Sequence, residues 1–257
     1  MNKKEQQAQR AKQEDVVLNK VLWWIVGSVI LEALLLLLNR VYVNYTASEI
    51  EFAYALRGVF KVLAIVLPIC FVALAALWLA ARKSGKLVKL TGVLALVALI
   101  LAVCAVVVQI FDVSGVKFLY IAVPVVAVLA LIYYLYQREF FVSAVLCALG
   151  LLGIRLLPRV RGASLVGYAY AVGLAVLLVA AVVLFRMMQK SQGKLTVKGA
   201  PMQVFPKGAN YALLYVTCAL VAVVAIAAVM MGALALLYGV LVAWLLILAV
   251  YYTVRLM

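Results

Sequence analysis

The sequence predicts an all-α fold, a polytopic transmembrane helix bundle of about eight spans, and three observations carry that prediction. Of the 257 residues, 70% are hydrophobic. They are gathered into runs close to the roughly 20 residues needed to cross a hydrocarbon core about 30 Å thick. The 23 Lys and Arg lie between those runs or at their ends. Backbone amides in lipid must be satisfied internally, and the runs lack the alternation of barrel strands, so helices are the remaining solution.

The first run, Val21–Leu38, follows a polar segment, residues 1–20. It is longer than a signal-peptide core and has no small-residue cleavage pattern behind it, so it reads as a retained anchor. Before the second run, Val62–Ala81, the stretch Ser48-Glu-Ile-Glu51 reads as a capping box that starts a helix leading into the span. On that helix Glu49, Ala53, Arg57 and Lys61 recur every four residues and share a face. Leu90–Ile110 and Phe118–Tyr136 are separated by a break that holds Asp112 and Lys117, and Phe140–Leu157 and Ala163–Phe185 follow. Tyr211–Met231 and Ala233–Tyr252 would together make a helix of about 60 Å, twice what a bilayer needs. A hairpin at Met231-Gly232 is therefore expected. Residues 21–257 form one membrane domain, and only 1–20, 39–58 and 186–210 are long enough for structure outside the spans.

Charge sets the expected orientation. With both termini cytoplasmic, inside segments hold 16 Lys and Arg and outside segments 7, which is the positive-inside bias. Were the fifth run re-entrant, the tally would fall to 13 against 10. The net charge of +15 then faces mostly the cytoplasmic leaflet, where it attracts anionic lipid. No nucleic-acid partner is expected. The localisation that follows is a cell membrane, read as a bacterial plasma membrane.

A tandem hairpin repeat is also expected. Lys61-Val-Leu-Ala-Ile-Val-Leu-Pro68 and Lys117-Phe-Leu-Tyr-Ile-Ala-Val-Pro124 share K-x-L-x-I-x-x-P, and Arg82 and Arg138 follow at equal distances. Pro68 and Pro124 are candidate kinks, because proline removes an amide donor and clashes with the preceding turn. Broken helices line transport sites, although prolines are common in static spans as well.

Cys70, Cys104, Cys147 and Cys218 all fall inside apolar runs, without Cys-x-x-Cys spacing, and there is no His. They read as small packing residues, so no metal or cofactor is expected. The absence of His also removes the commonest acid–base group, and an enzyme is not expected.

Two candidate sites remain. Glu32 is the one carboxylate well inside an apolar run, with Ser28 one turn away on the same face and Gln109 as a candidate partner. An intramembrane acid is by default a functional hypothesis, with a neutral, helix-tying carboxylic acid as the competing one. The second candidate is an outer anion site of Arg57, Lys61, Arg155, Arg159 and Arg161, with Lys117 nearby in the count and Glu49, Glu51 and Asp112 as counter-charges. Arginine forks suit phosphate and carboxylate, and ordinary contact with lipid phosphates is the competing account. Small-residue pairs such as Gly167/Ala171 and Gly239/Ala243 allow close helix approach.

The expected function is that of a transporter or lipid-handling permease for an anionic solute or headgroup. The alternative is a non-catalytic membrane subunit or scaffold. The expected partners are the lipid bilayer, an anionic lipid or solute, and a protein at the loop 186–210.

Overall fold

A computed structural model describes residues 3–46, 49–84, 87–191, 193–197, 200–206, 208–232 and 234–256. In chain order it contains α1 (Lys3–Leu38), a wide π-helical turn (Asn39–Val43), α2 (Ile50–Ser84), α3 (Val88–Leu135), α4 (Arg138–Leu156), a 3-10 turn (Leu157–Val160) and α5 (Leu165–Lys190). A short antiparallel hairpin follows, β1 (Lys194–Val197) with β2 (Ala200–Gln203), and then α6 (Tyr211–Met231) and α7 (Ala235–Leu256). Seven of these helices are long and apolar enough to cross a membrane, by length and composition.

The third and fourth expected spans emerge as one element. At 48 residues, α3 would be about 72 Å long if straight, more than twice the hydrocarbon thickness. It is not straight: Asp112 has φ 49° and ψ −128°, outside any helical region. A Cβ built on Gly115 would lie 2.5 Å from the Val107 carbonyl oxygen, whereas residues eight apart in a continuous helix are about 12 Å apart. The chain therefore doubles back at Asp112. Cys104, Val107 and Val108 before the reversal and Val113, Val116, Leu119 and Val123 after it share one hydrophobic cluster. Pro68 and Pro124 lie inside α2 and α3, and the non-helical backbone of α3 is at Asp112.

The polar segment before the first span is continuous with it in α1, since nothing in residues 3–20 breaks a helix. Just before α2, Thr46 N–H donates to Glu49 Oε2 at 3.2 Å. Ser48 lies outside the described residues. The Thr46 amide and hydroxyl hold the Glu49 carboxyl below its ordinary pKa. The expected turn between the last two spans is present: α6 ends at Met231 and Gly232 adopts φ 89°, a conformation that glycine takes without a Cβ penalty.

The chain divides into two compact units, residues 1–127 and 128–257. In the first, the core is small and lies around Leu35, Tyr42, Val108, Val116 and Leu119. Its helices are otherwise open: none of the most apolar stretch of α2 is buried within the chain. Near the end of α2 and the start of α3, Gly92 lies against Trp78, and Arg82 is placed 4.5 Å from the centre of the same ring. In the second unit α4 is central, half of its apolar stretch being buried. It packs against α6, α7 and α5 around Ile154, Leu214, Val221 and Leu241.

Candidate functional site

Three polar constellations are built by these elements. The first closes the reversal in α3. Tyr42, in the π-helical turn after α1, donates its hydroxyl hydrogen bond to Asp112 Oδ1. Arg57 of α2 places Nη2 3.8 Å from Asp112 Oδ2 and its guanidinium carbon 5.3 Å from the centre of the Tyr42 ring. A cation over an aromatic face and a carboxylate at its edge is a satisfied arrangement for an arginine. Three elements of the first unit thus meet at the residue whose backbone is strained. Asp112, one of the three counter-charges expected for the basic cluster, pairs with Arg57 and leaves that arginine partly committed. Lys61 and Lys117 are exposed on the same unit.

The second constellation is one the sequence reading missed. Glu139, in the first turn of α4, is completely buried. Its Oε2 accepts from Asn210 N–H at 3.0 Å, from the Tyr252 hydroxyl at 3.2 Å and from Arg255 Nη1 at 3.4 Å. Arg255 also donates to the Gly208 carbonyl. The Phe140 ring stacks on Tyr252 with centroids 5.4 Å apart. These contacts bring the starts of α4 and α6 and the end of α7 to one place. Each charge then sits where a helix favours it, the carboxylate at two N-termini and the guanidinium in a last turn. Tyr136 and Thr253, hydrogen-bonded at 3.0 Å, extend the same end, and Arg138 Nη1 reaches the Gln203 carbonyl at 3.4 Å, tying the hairpin to α4. Glu139 Oε1, Ser143 Oγ and the Tyr211 hydroxyl are buried and make no hydrogen bond among the described residues. What the sequence offered as a signal was Glu139 itself, a carboxylate abutting an apolar run, with Arg255 the last charge of the chain.

The third is the connection between α4 and α5. Arg155 is in the last turn of α4, Arg159 in the 3-10 turn and Arg161 just beyond it. All three are exposed, and none makes an ion pair among the described residues. The backbone beneath them is closed by Arg161 N–H to Pro158 O at 3.2 Å, Gly162 N–H to Arg159 O at 3.2 Å and Ala163 N–H to Val160 O at 3.1 Å. Gly167, at the start of α5, is buried, and a Cβ there would come within 2.7 Å of Val160 N and 2.9 Å of Arg159 C. The absence of a side chain is what lets α5 pack directly on the turn.

The intramembrane candidates stand apart from one another in their bonding. Glu32 is half-buried and its Oε2 makes no hydrogen bond among the described residues. Ser28 spends its hydroxyl on the Ile25 carbonyl, 2.8 Å away in its own helix, and Gln109 is exposed. Arg57 and Lys61 belong to one compact unit and Arg155, Arg159 and Arg161 to the other. Among the described residues no group of three or more His, Cys, Asp and Glu is placed to hold a metal. Comparison with known proteins gives no match to a family model, a curated protein or a solved structure.

Proposed function

We propose that this chain is a non-enzymatic transporter or lipid-handling permease of a cell membrane, acting on an anionic solute or headgroup. The observation that carries the reading is the α4–α5 connection, which holds three exposed arginines on a hydrogen-bonded turn. Exposed guanidinium groups without a counter-charge among the described residues favour phosphate or carboxylate. The reversal at Asp112 supports eight crossings, and eight crossings with both ends in the cytoplasm keep the 16-to-7 charge bias. That topology puts Arg155, Arg159 and Arg161 outside and the Glu139–Arg255 end inside. Glu32, half-buried with one oxygen unbonded, is the candidate coupling acid. The matched Lys, Pro and Arg spacings are consistent with a duplicated hairpin.

The test is flux. Proteoliposomes should move phosphate or a labelled anionic phospholipid, and replacing Arg155, Arg159 and Arg161 together by Gln should lower that flux at least tenfold. Glu32→Gln should insert and purify normally yet abolish flux while leaving anion binding intact. Flux of neither probe above protein-free vesicles would remove the proposal. It would leave the second reading, a membrane subunit or scaffold, which is favoured by the open apolar face of α2 and would use the 186–210 segment toward a protein partner.

A further inference from the structure

The arginine turn does not end in solvent: it opens onto an apolar stripe. Along α5, Leu165, Tyr168, Val172, Val176, Val179 and Val183 are 83%, 50%, 63%, 64%, 65% and 51% exposed. Their spacing of three and four residues places them on one side of the helix, and Leu165 is four residues from Arg161. From Leu165 to Val183 the stripe runs about 27 Å, nearly the hydrocarbon thickness. A free anion would need the arginines alone. Only an amphiphile uses both features, with its phosphate on the guanidinium groups and its chain along the stripe.

From this geometry we propose that the α4–α5 connection is a binding site for a phospholipid with a net negative headgroup. Arg155, Arg159 and Arg161 hold the phosphate, and the Leu165–Tyr168–Val172 face of α5 holds the first part of an acyl chain. Arg155, in the last turn of α4, and Arg159, in the 3-10 turn that follows it, are four residues apart on one compact connection. Gly167 keeps the turn seated on α5, so headgroup and chain contacts are held in fixed register, and little ordering remains to be done on binding. This inference rests on the anionic reading of the turn given above and names its ligand.

Native mass spectrometry of the full chain, titrated in detergent with phosphatidylglycerol or phosphatidylcholine, tests it. The expected result is at least tenfold tighter retention of phosphatidylglycerol. That preference should be lost when all three arginines are changed to Gln, and 10-fold excess inorganic phosphate should not displace the lipid. Leu165→Asn, which leaves the charges in place, should weaken retention several-fold, and Arg159→Gln alone supplies the charge test if the triple variant does not fold. Equal retention of both lipids, or a preference that survives Arg159→Gln undiminished, overturns the inference. Displacement by inorganic phosphate would also overturn it, in favour of a soluble anion, while leaving the anionic function standing. Loss of arginine-dependent binding to lipid and phosphate alike would remove both.

Discussion

Replacing Glu139 by Ala should be among the most damaging single changes in the second unit. The carboxylate is fully buried and its Oε2 gathers three donors, the Asn210 amide, the Tyr252 hydroxyl and Arg255. Breaking a buried ion pair from one side costs about 3–5 kcal/mol, because the surviving partners lose their compensation. Arg255 is 27% exposed and keeps the Gly208 carbonyl, so its own loss is softened and the lower end, about 3 kcal/mol, is expected. The Asn210 amide and the Tyr252 hydroxyl account for the remainder, at about 1–3 kcal/mol for each donor left unpaired and not additively. Glu139→Gln keeps the shape and an accepting oxygen and should cost about 1–2 kcal/mol, a hydrogen bond to a charged group being exchanged for a neutral one. The assay is equilibrium unfolding in mixed micelles of mild detergent and dodecyl sulfate. A double-mutant cycle with Arg255→Gln should return a coupling of about 1–2 kcal/mol, as residues in one hydrogen-bond network do. Stability of Glu139→Ala within about 0.5 kcal/mol of wild type, the range of an inert surface change, would refute the reasoning and show that the three helix ends are held by something else.

Gly167→Ala should destabilise by about 1–3 kcal/mol through overpacking against backbone that cannot yield, since its Cβ would meet Val160 N at 2.7 Å. Gly173→Ala on the same helix, where nothing lies within 4 Å, should be neutral or stabilising by up to about 1 kcal/mol; equal effects in the same unfolding assay would contradict the close approach. For topology, in a chain with Cys70, Cys104, Cys147 and Cys218 replaced, Arg161→Cys should label only from outside and Lys194→Cys only from the cytoplasm. Labelling of both from one side would end the eight-crossing arrangement.

The division between one dimension and three is visible residue by residue. The apolar runs, their lengths and the Met231-Gly232 turn were readable because they follow from hydrocarbon thickness and helix rise, properties that need no knowledge of neighbours. The positions of the flanking charges were readable for the same reason. The reversal at Asp112 was seen only as a gap between runs. Gly115 lies just after it, but the bonds that hold it come from Tyr42 and Arg57, which are 70 and 55 residues earlier. In the sequence Glu139 stands beside Arg138 and resembles a loop charge. Its burial depends on where Asn210, Tyr252 and Arg255 arrive, from 71 to 116 residues away. The arginine turn was evident as a motif, but its seating on α5 through Gly167 and its continuity with the apolar stripe were not. Hydrophobic patterning tells each segment which solvent to seek, and that is a local property of side chains. Which polar groups meet is decided by helix packing, where the cost of an unpaired charge in a low-dielectric interior selects partners that the linear order keeps far apart.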